Sequence, residues 1–337
     1  MITLKTSNAI HFNLYISLLI FLTIFFNSCE SDNLQIDTGA IGYSTDNGET
    51  WTVYESPHLN FGNLESLDSG KTINVMSSSG LMSSSNNGYS FSKINDIGIS
   101  ILPNGIMNCG VKLTYEKLYY TDDNCHNFED IYSAQQVTFE GGDIDSHSGL
   151  GIITGGKKVF KTMDYGVHWD SQKVSEQWRN INYKGVDVVN SHLIYLMGRD
   201  YGTPGQNSLL FKSTDAGMNW TESIISDTII NYYNSVSFFN ENTGIVSGVF
   251  KNGRMSRTTD GGNTWIECGP QLYAWFREST ISGSTYFGIE GNLVYRSTDF
   301  GETWETFRPG AIGSLSSVYS PSPGFLFVSG FVHSSVQ

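Results

Sequence analysis

The feature that most constrains this chain is an eight-residue pattern, S/T-x-D-x-G-x-x-W, that returns along nearly its whole length. Full copies occupy 44–51 (STDNGETW), 162–169 (TMDYGVHW), 213–220 (STDAGMNW), 258–265 (TTDGGNTW) and 297–304 (STDFGETW). Two copies have drifted: 84–91 (SSNNGYSF) carries Asn86 in place of Asp, and 121–128 (TDDNCHNF) carries Cys125 in place of Gly. Their third positions, 46, 86, 123, 164, 215, 260 and 299, are separated by 40, 37, 41, 51, 45 and 39 residues. A period near forty indicates one small supersecondary unit per repeat, stable only when stacked on its neighbours.

Each position of the pattern has a mechanical reason. An Asp entering a tight turn accepts hydrogen bonds from backbone N–H groups ahead of it, and a Ser or Thr two residues earlier does the same. The Gly supplies the positive φ that hairpin turns require. The closing Trp opens the next strand and is large enough to pin the turn against its own blade. The pattern is therefore a hairpin clamp. Asp46, Asp164, Asp215, Asp260 and Asp299, with Trp51, Trp169, Trp220, Trp265 and Trp304, are read as structural.

Between clamps the chain reads as β-structure throughout. In the repeat ending at Trp265, strands are expected over 234–239, 243–250 and 254–257, with a fourth after the clamp. Four-stranded units repeated seven times close into a β-propeller. The ends agree: the first clamp has no room for two strands before it, whereas 315–319 and 324–330 are two strands with no clamp after them. The C-terminal strands complete the N-terminal blade and remove a free edge. The expectation is an all-β, seven-bladed β-propeller with no helix, six blades being the alternative, formed by one domain over 40–337.

This clamp resembles the Asp-box, or bacterial neuraminidase repeat, of sialidases, some glycoside hydrolases, sortilin-type receptors and photosystem II stability and assembly factors. The resemblance covers roughly 40–310 and implies the propeller fold; those families do unrelated things on it. The spacing within 234–248, an inner strand and then a G-x-x-x-G strand before the clamp, is most similar to the assembly-factor type, which implies a non-catalytic scaffold role.

Residues 1–29 read as a leader. Lys5 precedes an apolar run over 12–26, and Asn27-Ser28-Cys29 follows, the layout of a secretory signal. The small residue before Cys29 resembles a bacterial lipobox, which makes Cys29 the lipidated first residue, with 30–39 as a short tether. An uncleaved anchor is the alternative, although the run is short for a span of about twenty residues. Glu30-Ser31-Asp32 resembles a surface-export signal. A lipid anchor in the bacterial cell envelope, at the outer membrane, is the expected location, with outward exposure implied by that resemblance.

The net charge of -14 sets nucleic acid and anionic lipid aside as partners. Besides Cys29, the cysteines are Cys109, Cys125 and Cys268, none in a C-x-x-C spacing. Neither a zinc site, a disulfide framework nor any cofactor is indicated; a cross-strand pair of Cys109 with Cys125, which fall in the same repeat, is the alternative. A monomer is expected.

Function is sought on the face opposite the clamps, where the second-to-third and fourth-to-first connections emerge. The long connection at 199–207 stands out, because long loops on a rigid scaffold carry function. Arg199, Asp200 and Tyr201 open it. Trp178, Arg179, Tyr232, Tyr233, Tyr273, Trp275, Arg277 and Glu290 are the other candidates, since aromatic faces beside Arg stack a sugar ring or anchor a protein loop. The alternative for each aromatic is packing between blades.

Sialidases of this fold resemble one another in an arginine triad whose first member precedes the first clamp; here no Arg occurs before Arg179. A bidentate Arg–carboxylate grip is not replaceable by Lys, which argues against a sialidase. A neutral-glycan hydrolase needs only two placed carboxylates, and Glu140, Asp143, Asp145, Asp187, Asp200, Glu278 and Glu290 lie outside the clamps. The related xyloglucan-cleaving enzymes look like tandem propellers, against one here. The sequence thus points to a non-catalytic propeller that recognises a protein or glycan, with a glycoside hydrolase as the alternative.

Overall fold

The computed structural model describes residues 37–333, apart from 57–60, 67–70, 78, 88, 96–99, 104–109, 115, 134–136, 140, 176–179, 202–207, 226–231, 250–254, 270–275 and 277. The leader, Cys29 and the tether up to residue 36 therefore lie outside the described residues.

Seven sheets of four antiparallel strands make up the described chain, and no helix occurs among the described residues. Numbered by first strand, blade 1 is Phe61–Glu65, Ile73–Ser77, Gly80–Ser84 and Ser92–Asn95; blade 2 is Ser100–Pro103, Gly110–Leu113, Lys117–Thr121 and Glu129–Ser133. Blade 3 is Gly141–Ile144, Gly151–Gly155, Lys158–Thr162 and Asp170–Gln172; blade 4 is Ile181–Val188, Ile194–Asp200, Ser208–Ser213 and Thr221–Ile224. Blade 5 is Tyr232–Phe238, Gly244–Val249, Met255–Thr258 and Ile266–Cys268; blade 6 is Glu278–Ser282, Thr285–Glu290, Leu293–Ser297 and Glu305–Phe307.

Blade 7 joins the two ends of the chain. Ser314–Ser322 and Phe325–His333 are its first two strands, Asp37–Ser44 and Thr52–Ser56 its last two. The seam runs from Asp37 opposite His333 to Ser44 opposite Leu326. This is the seven-bladed closure expected from the unmatched strands at each end, and the six-bladed alternative is set aside.

Burial follows position in the blade. Middle strands such as Gly151–Gly155 are buried throughout, because both faces meet neighbouring blades. Fourth strands such as Asp170–Gln172 and Glu305–Phe307 are short and mostly exposed, a defence of the sheet edge. The apolar clusters lie between blades. Val111, Leu113 and Leu118 of blade 2 pack on Ile144, Ile153, Phe160 and Trp169 of blade 3, while Leu150, Ile152 and Val159 of blade 3 meet Ile194, Leu196 and Phe211 of blade 4.

One expectation changes, and one alternative is set aside. The clamp Trp does not serve its own blade alone: Trp169 packs with Val111 and Leu113, and Trp220 with Ile152 and Val159 of the preceding blade. Cys125 is a free, buried thiol rather than half of a disulfide; Cys109 lies outside the described residues. Burial pushes the Cys125 thiol up to about 12, so it is not ionised at neutral pH.

Candidate functional site

All clamps join third to fourth strands, so one face of the ring carries them. Their hydrogen bonds repeat almost identically. In the 44–51 copy, Ser44 Oγ donates to Asp46 Oδ1 (2.7 Å) and accepts from Gly48 N (2.8 Å), while Thr50 N donates to Asp46 Oδ1 (2.9 Å). Trp51 Nε1 donates to the Gly48 carbonyl at 2.7 Å. The same donors hold Asp46, Asp215 and Asp260 at about 2, the Thr50, Asn219 and Thr264 bonds being the largest cause in turn. These carboxylates are fully occupied as turn acceptors.

The turn also departs from the sequence reading, since the residue before the Gly takes positive φ as well: Asn47 (58°), Tyr165 (62°), Ala216 (57°) and Phe300 (58°). A non-glycine residue held there is costly, and a hydrogen bond to the first-to-second turn of the same blade compensates. Tyr165 N donates to the Gly149 carbonyl (3.1 Å), Ala216 N to His192 (2.9 Å) and Asn47 N to Gly324 (3.0 Å).

The residue preceding each pattern reaches across to the next blade's clamp, which sequence reasoning missed. Lys161 Nζ donates to the Ala216 carbonyl (2.9 Å), Lys212 Nζ to Gly261 (2.9 Å) and Arg296 Nη1 to Asn47 (3.0 Å). Arg257 Nη1 pairs with Glu302 at 2.6 Å. A basic residue just before the Ser or Thr in four of the five full copies was the available signal.

A second set of fasteners lines the axis, where the first strands of successive blades lie side by side. Asp143 Oδ2 of blade 3 accepts from Val188 N of blade 4 at 2.8 Å. Asp187 accepts from Phe238 N of blade 5, and Glu278 Oε2 of blade 6 from Val318 N of blade 7 (3.2 Å). Ser317 Oγ of blade 7 accepts from Leu64 N of blade 1 (3.1 Å). Three of the carboxylates suspected of chemistry are thus backbone acceptors. Asp145 accepts the His147 and Ser148 N–H groups of a turn, and Glu140 lies outside the described residues.

Glu65, not singled out in the sequence, faces the same axis. Burial, then the nearby Glu278 and Asp143, pushes its carboxyl well above the usual range. Burial does the same to Asp187, with Asp143 adding repulsion. No metal-binding group of His, Cys, Asp or Glu forms among the described residues.

On the opposite face the structure gathers part of the expected set. Arg199 and Asp200 end the second strand of blade 4, and the Arg199 guanidinium lies 4.7 Å from the ring centre of Tyr201, which is 47% exposed. Asn182 stands opposite Arg199 in the ladder, and Asp200 is buried. Tyr201 N donates to the Asn180 carbonyl (3.1 Å), and Lys157 Nζ of the blade 3 turn to Asn180 Oδ1 (3.3 Å). Lys157, Asn180 and Asn182 were not foreseen; they join the site because adjacent blades abut here.

Tyr233 does not belong to that face. It is 3% exposed, and its hydroxyl shares a hydrogen bond with Ser256 (2.9 Å), so it packs within the fold. Tyr232, its neighbour in the first strand of blade 5, pairs with Val249 of the second. Glu290 lies in blade 6 and accepts from Tyr295 Oη at 3.3 Å. Trp178, Arg179, Tyr273, Trp275 and Arg277 lie outside the described residues.

No family model and no curated protein sequence matches this chain. Solved structures do. YCF48 from Cyanidioschyzon merolae superposes with a TM-score of 0.54 at 13% identity, covering 82% of this chain and 97% of that one. YCF48 bound to D1 peptide gives 0.58 at 12% identity, with 90% and 97% covered. The GH74 xyloglucanase from Xanthomonas campestris gives 0.56 at 13% identity, covering 80% of this chain and 52% of the enzyme, so the present chain spans about half that length. At these identities the likeness is one of fold. The chain is a seven-bladed β-propeller, similar in architecture to YCF48 and to one part of the xyloglucanase.

Proposed function

We propose that this protein is a lipid-anchored, extracytoplasmic binding propeller that takes a protein partner on the face opposite its clamps. The observation that carries the reading is the Arg199–Tyr201 platform, a cation stacked on a half-exposed ring beside Asn182 and Lys157. A guanidinium stacked on a ring, with a lysine and amides beside it, favours a partner segment that brings aromatic rings and hydrogen-bond acceptors. The fold likeness to YCF48, one structure of which holds D1 peptide, supports a protein partner. The leader and Cys29 support a lipid anchor in the bacterial envelope, at the outer membrane.

Arg199→Ala with Tyr201→Ala tests this. After cross-linking in the native envelope, the partner that co-purifies with the unaltered chain is lost from the double variant, while the clamp-face variant Met218→Ala retains it. Equal recovery from both removes the platform. Cys29→Ser moves the protein out of the membrane fraction; continued membrane retention contradicts the lipid anchor.

One observation favours a second reading, hydrolysis of a neutral glycan. Burial raises the Glu65 carboxyl well above the usual range, with Glu278 and Asp143 as acidic neighbours, and a carboxyl so raised is the kind of group a general acid needs. Release of reducing ends from a neutral polysaccharide, abolished by Glu65→Gln, supports it; none from the unaltered protein sinks it.

A further inference from the structure

The blades are fastened to one another at two levels, and the fasteners are unevenly placed. At the rim, the residue before the clamp reaches the next blade: Lys161 from blade 3, Lys212 from blade 4, Arg257 from blade 5 and Arg296 from blade 6. The same position holds Tyr43 in blade 7, Ser83 in blade 1 and Tyr120 in blade 2. Tyr43 stacks at 6.1 Å on Tyr54, which meets Tyr89 of blade 1 edge-on at 5.1 Å. Tyr120 packs with the cluster that holds Trp169. Ser83 is too short for either.

At the axis the register identifies the missing bond. Asp143 and Asp187 pair with the residue just beyond the one that faces the clamp Thr162 or Ser213, and Glu65 holds that position in blade 1. Asp187 takes its proton donor from Phe238, the last first-strand residue of the next blade, paired with Gly244. Asp143 takes its donor from Val188, paired with Ile194. The matching residue of blade 2 is Pro103, paired with Gly110, and proline has no N–H to give. Among the described residues Glu65 accepts no hydrogen bond.

At the seam from blade 2 to blade 3, Leu102 holds the acceptor position and Tyr120 the rim position. Packing closes this seam: a Cβ at Gly166 would lie 2.4 Å from Val111, and Trp169 and Phe160 fill the remainder. At the seam from blade 1 to blade 2, Cys125 and Phe128 replace the clamp Gly and Trp. Among the described residues, Asn74 Nδ2 makes a polar contact across it, 3.4 Å from Asn124 Oδ1 and 3.7 Å from Cys125 Sγ, and the buried Asn74 Oδ1 is left without a partner.

We propose that the ring opens between blades 1 and 2, and not at blade 7 where the chain ends meet. Blade 7 is held by Arg296 at its rim, by Glu278 at the axis and by the eight-residue pairing of Asp37–Ser44. Opening at the blade 1 to 2 seam bares Cys125 without unfolding the other blades, in the manner of a low-stability cooperative unit.

The test is thiol modification of the folded full-length chain, read at each cysteine by peptide mass spectrometry. Ser83→Arg with His126→Glu copies the pairing of Arg257 with Glu302 into this seam, and Pro103→Ala restores the missing donor. We expect Cys125 to react well below the unfolding midpoint, the Arg–Glu pair to slow it by up to about fivefold and Pro103→Ala by about fivefold to tenfold, while Cys268 is unchanged. Pro103→Ala should have no such effect in a Glu65→Ala background. If Cys125 reacts only at the global unfolding rate, or if both variants leave its rate unchanged, the seam is not where the ring opens.

Discussion

The two faces of the ring are built by opposite rules. On the clamp face one hydrogen-bond scheme recurs blade after blade, with carboxylates saturated by N–H and hydroxyl donors and Trp side chains wedged at the seams. On the opposite face, among the described residues, blade 4 alone places a guanidinium over a half-exposed tyrosine. Repetition marks what the fold needs from every blade. Function is to be sought where one blade departs from its siblings.

Substitutions sharpen the contrast. The largest effect is expected at Trp169, which is buried between blades 2 and 3: Trp169→Ala should cost about 3–5 kcal/mol in a denaturant melt. Tyr201→Ala, an equally drastic truncation on the other face, should leave that melt unchanged and weaken partner capture. Asp299→Ala comes next, with a loss of about 1–2 kcal/mol, because Thr303 N and Gly301 N keep their turn only while Asp299 and Ser297 accept. Partner capture should survive at temperatures where the variant is folded.

The pH dependence divides along the same lines. The clamp carboxylates are held below their unfolded values, so their stabilisation is complete above about pH 4 and lost as pH falls towards 2. Glu65 and Asp187 are shifted the other way by burial, so their contribution is complete at acidic pH and lost as pH rises through their folded values. Melting temperature against pH should therefore fall on both sides of a mildly acidic maximum, and Glu65→Gln should flatten the alkaline side alone. The smallest effect is expected from Arg257→Ala: its pair with Glu302 is exposed on the Glu302 side, and such pairs contribute about 0–1 kcal/mol.

The clamps, the blade number and the closure at blade 7 were readable in the sequence because each rests on local chemistry repeated at a fixed period. What joins the blades was not. Asp143, Asp187 and Glu278 looked like possible catalytic carboxylates, and only the register shows them taking N–H groups from the next blade. Lys161, Lys212, Arg257 and Arg296 recur at one position, yet their targets lie 45 to 55 residues on, or at the far end of the chain for Arg296. Tyr233 resembled a surface aromatic because burial depends on which side of a strand faces the neighbouring blade. Arg199 and Tyr201 were anticipated from loop length; Asn182 and Lys157 became visible beside them only when blades 3 and 4 were placed together.

The claim that recognition belongs to the face opposite the clamps is tested most directly by site-specific photo-cross-linking in the native envelope. The probe is placed at Tyr201 in one chain and at the clamp-face residue Met218, which is 70% exposed, in another. Capture of one defined protein from position 201 and none from position 218 is the predicted result. The same protein captured from 218 and not from 201 would place the binding surface on the clamp face and contradict the account.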